Sequence, residues 1–191
     1  MAGLLVSEAF PRPGPATLSA PMSPRIELVL RALLIGAGAT AGMDLWALLL
    51  RRIGIPSLDL AWLGRWVGHL ARGRFRHDSI ARASPVPGER ALGWSAHYAI
   101  GITFAALLLA LQGPEWARSP TFTPALIVGL LTVVAPLLVL QPALGLGIAS
   151  SKTPRPLFNA LKSVVAHTVF GIGLWLSARL AAWILPVDGL P

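Results

Sequence analysis

Four long apolar runs dominate this chain, at Ala32–Leu50, Leu92–Leu111, Pro124–Leu140 and Val164–Leu185. Each has roughly the 17–25 residues that carry a helix across the hydrocarbon core of a bilayer. None has the polar stripe that a helix of a soluble bundle turns to water. Glycine and proline inside the runs, such as Gly101 and Pro136, suit a membrane helix better than a soluble one. The predicted fold is therefore all-α, an integral membrane four-helix bundle. With 54% hydrophobic against 13% charged residues, the 191-residue chain has little left for a soluble unit. One transmembrane domain over residues 25–191 is expected.

Residues 1–24 hold Pro11, Pro13, Pro15, Pro21 and Pro24 and no apolar run long enough for a signal-peptide core. They read as a disordered tail, with Met22 as a second candidate start. The chain has no cysteine. That excludes disulfides, thiolate metal sites, cysteine nucleophiles and thiol-linked lipids.

The net charge of +8 has a position as well as a sign. The connection 51–91 holds Arg51, Arg52, Arg65, Arg72, Arg74, Arg76, Arg82 and Arg90, and the connection 141–163 holds Lys152, Arg155 and Lys162. The other side has Arg12, Arg25, Arg31 and Arg118; Arg179 lies inside the last run and is expected to snorkel. The positive-inside rule places the two basic connections in the cytoplasm and both termini in the periplasm.

Within the first connection, Ser57–Ala71 reads as an amphipathic interfacial helix. Leu58, Trp62, Trp66 and Leu70 form its apolar stripe, with Asp59, Arg65, His69 and Arg72 mostly off it. Trp62, Arg65, Trp66 and the following Arg72, Arg74 and Arg76 are candidate contacts for membrane lipids with anionic headgroups. The alternative is that the helix packs on the end of the bundle. Nucleic acid is not an expected partner, because one aromatic and a few arginines make no recognised module. His77–Asp78 reads as a solvated surface pair.

Several short words give the chain a more specific character. They are GAGATAGMDLW (Gly36–Trp46), GIPS (Gly54–Ser57), GRWVGH (Gly64–His69), RGRFRHD (Arg72–Asp78), GERALGW (Gly88–Trp94), His97–Tyr98, QPALG (Gln141–Gly145) and Ala166–His167. Together, from about Arg31 to about Ser177, they resemble the bacterial multi-pass membrane family called domain of unknown function 2938. The resemblance implies an inner-membrane protein and carries no catalytic assignment.

Asp44 is the strongest chemical clue. A carboxylate inside a span costs about 2.5–3.5 kcal/mol on insertion scales, so it faces the bundle interior or water and needs a partner. It sits on a small-residue stripe with Gly36 and Thr40. His97 lies with Gly93 and Gly101, and His167 with Ser163 and Gly171, on similar stripes. With a rise of 1.5 Å per residue, the three lie about 9, 7.5 and 4.5 Å inside the cytoplasmic ends of their runs. They are expected to form one buried polar cluster, with Thr40, Gln141 and Ser163 at its rim.

Three chemistries suit such a set: hydrogen bonding that fixes helix register, a transport or proton-relay site, and zinc held by Asp44, His97 and His167 on ligand type alone. The spacing matches no metal motif, and no cofactor is expected. There is no nucleophile elbow or His-Glu metal box, and Gly145–Leu146–Gly147 starts no dinucleotide fingerprint. The reading is a non-enzymatic small transporter or accessory membrane subunit. Four helices scarcely enclose a path, so transport would call for a homodimer. The alternatives are a membrane enzyme or metal-binding protein using the same cluster, and a lipid-binding scaffold.

Overall fold

The computed structural model describes residues 23–185; the tail up to residue 22 lies outside them. Five helices follow in order: α1 (Pro24–Arg52), α2 (Leu60–Leu70), α3 (Glu89–Arg118), α4 (Phe122–Ala143) and α5 (Pro156–Ile184). All but α2 are long and apolar enough to cross a membrane. Among the described residues there are helices and no strands, and the chain is a membrane protein by this architecture. Pro24, assigned by sequence to the tail, opens α1 as its first residue, where a missing N–H costs nothing, and Ser23 caps it.

Unlike a soluble bundle, this one is apolar both inside and out. Its interior is small and close-packed: Ile35, Ala39, Ala105, Leu108, Phe170 and Leu174 are buried. Large apolar side chains such as Leu45, Leu49, Ile127, Leu131, Leu176 and Leu180 point outward. Only 22–28% of each span's apolar window is buried. Water would punish that surface; lipid does not, and small residues let the backbones approach where the hydrophobic effect gives no help. α1 packs against α3 and α5, and α4 against α5.

Two helices bend for local reasons. Gly113, at φ 79°, and Pro114 break α3 one turn before its end. In α4 the α-helix stops at Leu131, and Ala135–Leu140 is wound as a π-helix around Pro136. Proline has no N–H for the regular ladder, and here the amide of Gln141 reaches back to the carbonyl of Pro136.

Each end of the bundle is tied by an arginine. At the end that holds Ser23 and Leu185, Arg31 is 1% exposed. Its guanidinium donates to Glu27 at 2.8 Å and to the carbonyls of Ala117 at 3.0 Å and Leu185 at 2.6 Å. Arg118 meets the other oxygen of Glu27 at 3.2 Å. One glutamate and two arginines thus join α1 to the ends of α3 and α5. Arg31 is therefore a buried structural cation and not merely a flanking charge.

At the other end α2 lies along α3. Gly64 and Gly93 make the contact reciprocal: a Cβ on either would fall on the carbonyl oxygen of Glu89 or Leu60 respectively. The connection that follows α2 is hydrogen-bonded to the one after α4, His77 N–H to Ala143 C=O at 2.9 Å and Ile80 N–H to Leu144 C=O at 3.0 Å.

Candidate functional site

The contact between α1 and α3 positions the site. Thr40, 1% exposed, sits against Gly101 and satisfies its hydroxyl within α1 by donating to Gly36 C=O at 2.7 Å. One turn closer to the α2 end come Asp44, four residues after Thr40, and His97, four residues before Gly101. His97 Nε2 lies 3.1 Å from Asp44 Oδ1, and the Tyr98 hydroxyl donates to Asp44 Oδ2 at 3.0 Å. Each carboxylate oxygen therefore has its own donor from α3. Trp94 flanks both partners, its ring centroid 6.3 Å from His97 and 6.2 Å from Tyr98.

This triad is set into the bundle side and not sealed within it. The Asp44 and His97 side chains are 24% and 21% exposed. The partner of the carboxylate is an imidazole, whose charge depends on its own proton. The contact survives in either state: a neutral imidazole with hydrogen on Nε2 donates to the carboxylate, and an imidazolium forms an ion pair with it.

His167 does not join the triad. Its Nδ1 lies 2.8 Å from the Thr132 hydroxyl, which spends its one proton on Gly129 C=O at 2.6 Å. The hydroxyl must therefore accept from Nδ1–H, which fixes the tautomer. His167 is thus a tie between α4 and α5, made where α4 leaves its α-helical turn. The zinc set of Asp44, His97 and His167 does not form: among the described residues no three metal-ligating side chains converge.

The proposed rim also divides. Thr40 belongs to the helix contact just described. Gln141 instead donates to Ser163 at 3.2 Å and accepts from the Ser150 hydroxyl at 3.0 Å, pinning the connection between α4 and α5.

Of the four residues off the apolar stripe of α2, Arg65 and His69 turn inward and Asp59 and Arg72 are exposed, and the helix packs along α3 at the end of the bundle, the alternative placement. Arg65 pairs with both oxygens of Glu89 at 2.8 Å and donates to the carbonyls of Ile80 and Ala83 at 3.0 and 3.1 Å. The Glu89 carboxylate raises the pKa of the Arg65 guanidinium above its ordinary value. With its side chain 11% exposed and its donors occupied, Arg65 is a clamp and not a free headgroup contact. Trp66 is half-buried and donates to Phe75 C=O at 2.8 Å, and Trp62 is also half-buried. Arg72, Arg74 and Arg76 are exposed.

His77 corrects the reading of a surface pair. It is 5% exposed, stacked on His69 with Nε2 2.7 Å from His69 Nδ1. Asp78 alone is exposed. Tyr98, Thr132 and Glu89 were missed in the sequence. Tyr98 is a neighbour of His97 with a longer reach, whereas Thr132 in an apolar run gives no signal at all.

No curated protein and no solved structure matches the chain. A family described as "Protein of unknown function (DUF2938)" matches residues 33–181, a stretch that holds α2, the Asp44–His97–Tyr98 triad and both basic connections. The chain belongs to the DUF2938 family.

Proposed function

We propose that this protein is a small transporter, or an accessory subunit of one, in the bacterial inner membrane, with Asp44, His97 and Tyr98 as a proton-exchanging site. One observation carries the reading. Asp44 interrupts an apolar span, yet its partners are a titratable imidazole and a phenol, with no permanent cation among them. By contrast, the tie between α4 and α5 sets one imidazole, His167, against a hydroxyl and a carbonyl, with no carboxylate to exchange a proton with it. Intramembrane Asp and His pairs are typical of proton relays.

The partial exposure of Asp44 and His97 supports a homodimer, in which a second copy covers this side of the bundle. Membrane lipids are the other expected partner, with Trp62, Trp66 and Arg72 at the headgroup level. The connections 51–91 and 141–163 are assigned to the cytoplasm on their eleven basic residues against four outside, counting Arg12, Arg25, Arg31 and Arg118.

Infrared spectroscopy of the reconstituted protein tests the site. A protonated-carboxyl band should grow as the pH falls, be missing in Asp44→Asn, and shift its midpoint in His97→Gln and Tyr98→Phe. In proteoliposomes with a trapped pH dye, Asp44→Asn should abolish any proton movement seen with the wild type while folding normally. A carboxyl band unaffected by Asp44→Asn, or proton movement unchanged in that variant, would leave the triad a structural tie.

A further inference from the structure

The two hydrogen-bonded connections at the α2 end leave a hollow of about 530 Å³ between them. Arg74, Arg76 and Asp78 line it from the first connection, and Gly145, Gly147 and Lys152 from the second. The three cationic residues are exposed, and among the described residues none of them is in an ion pair. With Asp78 as the one carboxylate in the lining, two positive charges remain uncompensated there.

The hollow is preformed. Between the lining residues Ile148 and Ser151 lie Ala149 and Ser150, which do not line the hollow but are both non-glycine residues in left-handed conformations, with φ of 49° and 62°. Such strain persists only where the surroundings enforce it, and it gathers at ligand clamps and other functional sites. Here Ser150 is buried; its hydroxyl donates to Gln141 at 3.0 Å and its carbonyl accepts from Thr153 at 2.7 Å. The Lys152 amide is held by Leu146 C=O at 2.9 Å. Gly145, at φ +88°, lies so close to the Asp78 carbonyl that a Cβ would not fit. The backbones that carry the three cations are thus fixed to each other.

We propose that this hollow binds a phosphate group, carried either by a lipid headgroup or by a soluble phosphate ester. Two guanidinium forks and an ammonium suit an anion with several acceptor oxygens better than a single carboxylate. Two uncompensated charges match a phosphate monoester, and the volume leaves room for its substituent. The site stands apart from the Asp44 triad and does not depend on it.

The chain's two lysines supply the test, with Lys152 in the hollow and Lys162 outside it, donating to Pro56 C=O at 2.8 Å. Acylation of each is followed by mass spectrometry on the full chain in phosphatidylcholine nanodiscs. One arm adds glycerol 3-phosphate to the solution; the other places phosphatidic acid in the disc. Acylation of Lys152 should slow about tenfold in at least one arm, as expected for a charge-assisted contact, with Lys162 unchanged. Slowing by glycerol 3-phosphate in neutral discs identifies a soluble ester, and slowing by phosphatidic acid alone identifies a headgroup. The exposed double variant Arg74→Gln/Arg76→Gln should lose the protection and keep its fold. No slowing in either arm, equal slowing of both lysines, or protection that survives the double variant would overturn the proposal.

Discussion

An imidazole pair 2.7 Å apart, His69 Nδ1 to His77 Nε2, has room for one proton between the facing nitrogens and not for two. Burial, chiefly, and the nearby Arg74 cation hold the His77 pKa below its ordinary 6.5. The neutral form is therefore the folded form. The unfolded chain binds more protons in the window below 6.5, so the contribution of His77 to stability is complete above that pH and declines as the pH falls through it. The thermal midpoint of the purified protein should fall on acidification from neutral pH. His77→Phe keeps a ring against His69 and should flatten that slope; a wild-type midpoint indifferent to pH in this window would refute the assignment. This pair was invisible in the sequence for a definite reason. Both histidines lie in the arginine-rich connection, where polar residues are normally solvated, and only the fold of 72–77 back onto α2 buries them. Asp44 and His97 were legible, because each breaks an apolar run on its small-residue face. His167 follows the same pattern and belongs elsewhere. Small faces on three helices do not have to meet, and α5 turns this one toward α4.

At the scale of elements, the α2–α3 contact is the most exacting. Gly64 and Gly93 interlock backbone to backbone, and Arg65, one residue on from Gly64, then reaches Glu89 and the carbonyls of 80–83. Gly64→Val would drive a branched side chain into the Glu89 carbonyl, lift α2 and break the Arg65–Glu89 pair. The exposed Arg72, Arg74 and Arg76 give trypsin a ready readout, and their cleavage should accelerate at least several-fold. Gly42→Ala is the control. A Cβ there meets nothing, and replacing a mid-helix glycine with alanine gains about 0.5–1 kcal/mol. Trypsin resistance equal to wild type in Gly64→Val would show that α2 is not held this way. All four spans are legible in the sequence, but the helices outrun the apolar runs by up to eight residues, at Pro24 before Ala32 and Pro156 before Val164, because apolarity marks the hydrocarbon core and not the helix ends. α2 is also legible as a helix, and of the two placements its stripe allows the structure shows it packed along α3. The Leu/Trp stripe has the stronger periodicity, while the bonds of Arg65 and His69 come from residues 8 to 24 positions away, which periodicity does not sense.

For the whole molecule, the open question with most consequence is which way the bundle points. Both connections that carry the basic surplus are fastened together at the α2 end through Ala143 and Leu144, so they must share one side of the membrane. The opposite end has Arg31 and Arg118 locked onto Glu27. Acidic partners do little to offset the topological effect of lysine and arginine, so the count of eleven against four still favours a cytoplasmic α2 end. The chain has no cysteine, which gives labelling a clean background. Ser119 and Ser84 are both exposed and mark opposite ends. In intact cells Ser119→Cys should react with a membrane-impermeant maleimide, and Ser84→Cys should react only after permeabilisation. The reverse pattern would invert the molecule, and equal labelling would mean that copies insert both ways. The answer decides the chemistry open to Asp44. It lies eight residues before Arg52, about 12 Å along α1 at 1.5 Å per residue. A cytoplasmic α2 end puts the triad within reach of cytoplasmic protons, with the longer part of the span between it and the periplasm. Proton release to the far side would then require a change of access, which is the step a transporter couples to its substrate.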